Sequence, residues 1–225
     1  MTRALVILAL VTSGCTSIGP HSPDALKQVD FGPRHTIRIC ALLDDGISLE
    51  EAQQLLDRSW RDERERYQLD FEIVRAAPWL RPAFTVTPIL RELLREPLVP
   101  PCDRLFGFLG RHAGDFVWGF FGLPEVHGAV NGATMTHGYA VARIASLQQL
   151  IAPPRAVLNH ELHHLLGCDT HFDIARCYEQ IARLKRAREQ DDFFPAWDPL
   201  EQRIITSRDE VNQRIEVERH ELENH

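Results

Sequence analysis

Lysine is nearly absent: of 25 basic residues only Lys27 and Lys185 are lysines, and the others are arginines. No cluster of Lys and Arg stands out against a formal net charge of −7. A surface built to neutralise nucleic-acid phosphates is therefore not expected, and no nucleic-acid partner is assigned. Methionine occurs only at positions 1 and 135. No internal repeat appears, which excludes solenoid architectures. The apolar run Ala4 to Val11 falls well short of the roughly 20 residues that a membrane-spanning helix needs. What remains is 225 residues with 44% hydrophobic and 25% charged content, ordinary for a soluble domain. That length fits one globular domain, or one with a helical appendage. It can bury roughly 70% of its unfolded surface without help from a metal or disulfide.

The N-terminus carries an address. Met1-Thr2-Arg3 is a short positive start, followed by the apolar run and then by Thr12-Ser13-Gly14-Cys15. The pattern resembles a bacterial lipoprotein signal, in which cleavage precedes a cysteine that becomes lipidated. On that reading residues 1–14 are a signal peptide and residues 15–34, rich in Pro, Ser and Gly, are a lipidated tether. Cys15 then anchors the chain to a membrane of the bacterial cell envelope, facing the periplasm or the exterior. The competing reading is an ordinary secretory signal with an incidental cysteine. Either one takes the chain out of the cytoplasm.

Export changes the cysteine arithmetic. With Cys15 set aside, Cys40, Cys102, Cys168 and Cys177 remain, an even number in an oxidising compartment. Four cysteines allow three connectivities. Cys168 with Cys177 is the local pair, which leaves Cys40 with Cys102; buried free thiols are the alternative.

Periodicity sets the expected elements. His35 to Leu43 alternates as a strand, with Ile37, Ile39 and Ala41 on one side. Ser48 and Glu51 form a capping box for a helix to about Arg66, with Ala52, Leu55, Leu56 and Trp60 at helical spacing. Leu69 to Ala76 reads as a second strand and Thr87 to Arg95 as a helix. Leu105 to Leu109, Phe116 to Phe121 and Tyr139 to Ala145 read as strands, with a Gly/Asn/Thr/Met loop from His127 to His137. Pro153-Pro154 open a helix that stops at Gly167. Phe172 to about Arg188 and residues 198–223 complete the helices. Residues 35–190 are taken as the main domain and 191–225 as a C-terminal helical extension. Phe116, Trp118, Phe120 and Phe121 crowd one stretch, read as core packing.

The chemistry sits in residues 159–171, NHELHHLLGCDTH. His160 and His164 lie one helical turn apart, so their imidazoles share a face and can grip one metal ion. Glu161 sits at the edge of that face, where it can reach a metal-activated water rather than the metal. Leu158, Leu162, Leu165 and Leu166 fix the helix in the core. A catalytic zinc site needs a third donor and an open position. His171 is preferred, with Glu179 on the next helix and Asp169 as alternatives. Tyr178 and Tyr139 are candidate oxyanion donors, although core packing explains both. His163, on a neighbouring face, reads as a surface or supporting residue, and His127 and His137 as loop histidines.

The segment resembles the zincin metallopeptidases, and within them the metzincin signature HExxHxxGxxH. His160, Glu161, His164 and Gly167 match position for position. The final histidine comes one residue late, with Thr170 in the family's ligand position, and no methionine follows the motif to form a methionine turn. The resemblance implies an α+β, zincin-like fold: a mixed twisted sheet packed against the HExxH helix, with further helices after it. It implies Zn2+ as cofactor and a peptide or protein substrate. The implied reaction is peptide hydrolysis by a zinc-activated water, with Glu161 as general base and His160, His164 and His171 as ligands. Two alternatives stay open: an envelope lipoprotein with a structural zinc site, and a zinc hydrolase of a non-peptide substrate.

Overall fold

Strand β1 (His35–Leu43) sends Ile37, Ile39 and Ala41 to one side and Cys40 and Leu42 to the other, and all five are buried. A strand buried on both faces belongs inside a parallel sheet covered by helices. The computed structural model, which describes residues 19–112, 114–115, 127–143, 153–188 and 193–224, has that form. From β1 the chain runs through α2 (Leu49–Tyr67), β2 (Leu69–Pro78) and α3 (Val86–Leu93) to β3 (Arg104–Leu109). The short strand β4 (Gly128–Val130) and β5 (His137–Val141) follow. The sheet order is β2-β1-β3-β5-β4, parallel throughout except for β4, which runs antiparallel on the edge.

Helices cover both faces. Helix α2, α4 (Pro154–Leu165) and α5 (Ile174–Arg186) pack on the face carrying Ile37, Ile39, Phe106, Phe108 and Ala140. The opposite face carries Leu105, Leu109, Tyr139 and Val141. It is covered by α3, a hairpin of β6 (Ala196–Asp198) and β7 (Arg203–Ile205), and α6 (Arg208–Glu223). The expected mixed sheet packed against the HExxH helix is present, but strands and helices alternate along the first half and both faces are covered, so the class is α/β rather than α+β.

Ser48 caps α2 by accepting from the Glu51 amide, and Glu51 also reaches Arg143. Three other expectations are corrected. The loop expected from His127 to His137 contains a strand, Gly128–Val130, which forms the sheet edge beside β5. The turn between β4 and β5 is closed by Asn131, whose Oδ1 accepts from the Thr136 and His137 amides. The start of the C-terminal region is a hairpin, not a helix, before α6 begins.

Third, residues 19–34 are docked rather than free. Ser22 caps the one-turn helix α1 (Pro23–Leu26), with proline at its first position, and Phe31 packs edge-on against Tyr67 and Tyr178. Cys15 and the aromatic run Phe116 to Phe121 lie outside the described residues. Both disulfides form: Cys40–Cys102 joins β1 to the approach to β3, and Cys168–Cys177 joins the loop after α4 to α5.

Candidate metal centre

Helix α4 opens at Pro154 and drives Val157, Leu158, Leu162 and Leu165 into the core. That fixes the roll of the helix and brings His160 and His164 together on its opposite side. Their Nε2 atoms lie 3.0 Å apart, and His171 Nε2 lies 3.2 Å from His160 Nε2. All three donor nitrogens fall within 4.8 Å of one another. Four-coordinate zinc, with nitrogens near 2.05 Å, places neighbouring donors roughly 3.3 Å apart. The observed spacing therefore fits one zinc ion, and neutral imidazoles are the donors zinc favours.

Two features aim the rings. His164 Nδ1 donates to the Cys168 carbonyl at 2.6 Å, which leaves the Nε2 lone pair directed into the cluster. His160 Nδ1 is buried with no hydrogen-bond partner among the described residues. Burial, with the His164 and His171 rings beside it, holds His160 down near 3, and burial holds His164 near 4. At neutral pH both rings are neutral and able to donate a lone pair.

His171 arrives by a loop with two left-handed residues. Gly167 has φ +81°, and a Cβ there would come 2.8 Å from that of Trp197, so backbone and space both require glycine. Phe172, immediately after His171, has φ +68°. The Cys168–Cys177 bridge closes the same loop onto α5. The loop accommodates the extra residue before the last histidine, and the cluster that could hold an ion is His160, His164 and His171, without Thr170. Glu179 is corrected out of the set: it sits on the exposed face of α5 and is not part of the cluster. Asp169 is committed elsewhere, accepting from Arg176 and from the Trp197 indole.

Glu161 is almost fully enclosed, and burial pushes its carboxyl up to about 8. The wall beside it is β4. A Cβ on Gly128 would lie 2.7 Å from both Glu161 Cγ and Oε1. The edge strand thus passes so close to Glu161 that any side chain at 128 would force the carboxyl group to move, a role with no signature in the sequence.

Tyr139 is buried, its hydroxyl has no partner among the described residues, and burial together with the Glu161 carboxyl pushes its pKa up. It remains a proton donor at any physiological pH. Tyr178 is corrected: its hydroxyl accepts from the Ser22 amide and pairs with His21, so it serves to dock the N-terminal segment. His163 is a core residue. Its Nδ1 donates to the Asn159 carbonyl, Nε2 accepts from the Tyr67 hydroxyl, and its ring lies edge-on to Trp60. His137 is buried in β5, bonded to Thr136 and to the Glu96 carbonyl.

Arg104 was not anticipated. Fully buried at the start of β3, it donates to the carbonyls of Leu165, Asp103, Phe194 and Pro195. It thereby clamps the last turn of α4, one residue beyond His164, to the sheet and to the C-terminal segment. A cavity of about 730 Å³ lies at the other end of the strands, between Asp44–Ile47 and Ala76–Leu80, and shares no residue with the cluster.

No protein-family model matches the chain, and no curated protein matches it. Among solved structures it is similar to an archaemetzincin from Methanopyrus kandleri, at 19% identity and a TM-score of 0.43. The match covers 70% of this chain and 99% of that one. A likeness of that size adds nothing to the donor geometry, on which the functional reading rests.

Proposed function

We propose that the chain is a zinc-dependent peptidase of the bacterial cell envelope, anchored by lipid at Cys15. The observation that carries the catalytic reading is the convergence of three imidazole nitrogens, 3.0 and 3.2 Å apart, on a helix that also bears Glu161. His160, His164 and His171 would hold the ion. Bound there, zinc supplies Lewis acidity, polarising a carbonyl and making water acidic near neutral pH. Glu161, returned to its ionised form by the charge of a bound cation, would take the proton from the attacking water and return it to the leaving nitrogen. Gly128 keeps the carboxylate in place by letting β4 run against it.

Among the described residues no fourth protein donor joins the three histidines. That favours a catalytic site with an open position over a closed structural one. The nature of the bond cleaved rests on the resemblance to zincins alone, and a non-peptide substrate is the second reading. The test is metal analysis of the mature protein beside Glu161→Gln and His164→Ala, with a peptide library assayed in parallel. Wild type and Glu161→Gln should each hold one zinc, and His164→Ala essentially none. Chelator-sensitive cleavage should fall at least about 100-fold in Glu161→Gln. Cleavage that survives this substitution would overturn the mechanism; zinc retained with no peptide cleaved would leave the non-peptide reading.

A further inference from the structure

We propose that the end of the molecule carrying His171 rests on a lipid bilayer, so that the site acts on polypeptide held at the membrane surface. This rests on the peptidase reading above and on lipidation of Cys15. A free tether of 20 residues would let the domain roam tens of ångströms from its anchor. Instead, His21 pairs with the Tyr178 hydroxyl at 2.7 Å and with Glu63 at 3.0 Å, fastening the segment to α5 and α2. Its first described residue, Gly19, lies directly against the loop that follows His171. A Cβ on Gly19 would meet the Phe172 Cα at 3.2 Å and the Phe172 carbonyl carbon at 3.3 Å. Cys15 is four residues upstream. Four residues span at most about 14 Å, so an acyl group on Cys15 holds the metal-site loop within about 14 Å of the bilayer surface.

The same end of the molecule carries what such a surface would bury. Phe172 at 72% and Leu200 at 78% are the two most exposed large apolar side chains among the described residues. Leu200 is in the turn of the β6–β7 hairpin. Asp169 ties that hairpin to the His171 loop, accepting from the Trp197 indole and from Gln202. This end lies at the start of the strands, where Arg104 of β3 grips the Leu165 carbonyl. The next most exposed apolar residue, Leu80, follows the far end of β2. With a net charge of −7 the chain has no electrostatic attraction to anionic lipid, so acyl and apolar contacts must do the holding.

The test uses the full chain, produced with its own leader and reconstituted in neutral phosphatidylcholine vesicles. The mass of its N-terminal peptide and its hydrogen exchange are then measured. The expected result is an acylated Cys15, with exchange slowed several-fold by vesicles over 168–173 and 198–202 and unchanged over 79–85. A Phe172→Ser, Leu200→Ser variant should lose most of that slowing while keeping its acyl group. A flexible 20-residue insertion after Ser17 should weaken it likewise. An unmodified Cys15, or an acylated protein with no slowing at 168–173 and 198–202, overturns the proposal. Glu161→Gln should show the same slowing as wild type, so a failed peptidase reading and a failed membrane reading give separate results.

Discussion

At the scale of the residue, the site divides into donors that local spacing announces and neighbours that only folding supplies. His160, Glu161 and His164 could be read from five consecutive positions, because helical geometry alone puts them on one side. His171 followed from ligand chemistry and proximity. Gly128 and Arg104 could not be read, since each matters only through a segment distant in sequence: Glu161 for one, Leu165 and Phe194 for the other. Gly128→Ala should leave zinc content unchanged and lower turnover about 100-fold, because displacing a catalytic group by about 1 Å costs that much. Zinc analysis with single-turnover rates checks it; unchanged turnover would mean that Glu161 tolerates the added methyl. His171→Ala removes a donor outright. Its zinc affinity should fall by more than the roughly 10–100-fold seen when only a supporting contact is lost, as measured by competition with a chelating dye.

At the scale of the element, the two disulfides do different work. Cys40–Cys102 spans 62 residues and Cys168–Cys177 spans 9. Loop-closure entropy assigns about 4 kcal/mol to the first and about 2–3 kcal/mol to the second. Replacing both cysteines of the long loop by serine should therefore lower the unfolding temperature more. Only the Cys168→Ser, Cys177→Ser pair should weaken zinc binding, because it frees the His171 loop. Calorimetry and zinc titration on the two double variants separate these effects. The long elements, β1, α2 and α4, carry enough periodicity to be read. Gly128-Ala129-Val130 did not: three small residues show no period, and they become a strand only because β5 offers an unpaired edge. The β6–β7 hairpin, with three residues on each side of its turn, is too short to show a period either.

At the scale of the molecule, the buried histidines set the response to acid. His137 is wholly enclosed, and burial lowers it to about 4 from an ordinary value of 6.5. The unfolded chain takes up that proton more readily than the folded one, so stability rises with pH between 4 and 6.5 and is lost on acidification through that window. The one group accounts for about 3 kcal/mol. In the presence of a chelator the urea midpoint should fall steeply from pH 7 to pH 4.5, and His137→Gln should flatten the fall; an unchanged slope would assign it elsewhere. Glu63 acts lower on the scale. Burial opposes its ionisation, yet His21 and Arg66 hold its carboxyl near 2, so its contribution is full above about 4.5 and is lost only as pH drops towards 2.

The Arg104 clamp also bears on how much of the chain must be present before the three histidines are held in place. Protein synthesis delivers Leu165 about 30 residues ahead of Pro195, yet one guanidinium grips the carbonyls of both. The last turn of the histidine-bearing helix is locked only once the stretch through Pro195 has folded back onto it. A purified chain ending at residue 190 should therefore carry all three imidazoles and yet hold an added zinc ion more weakly than the full chain.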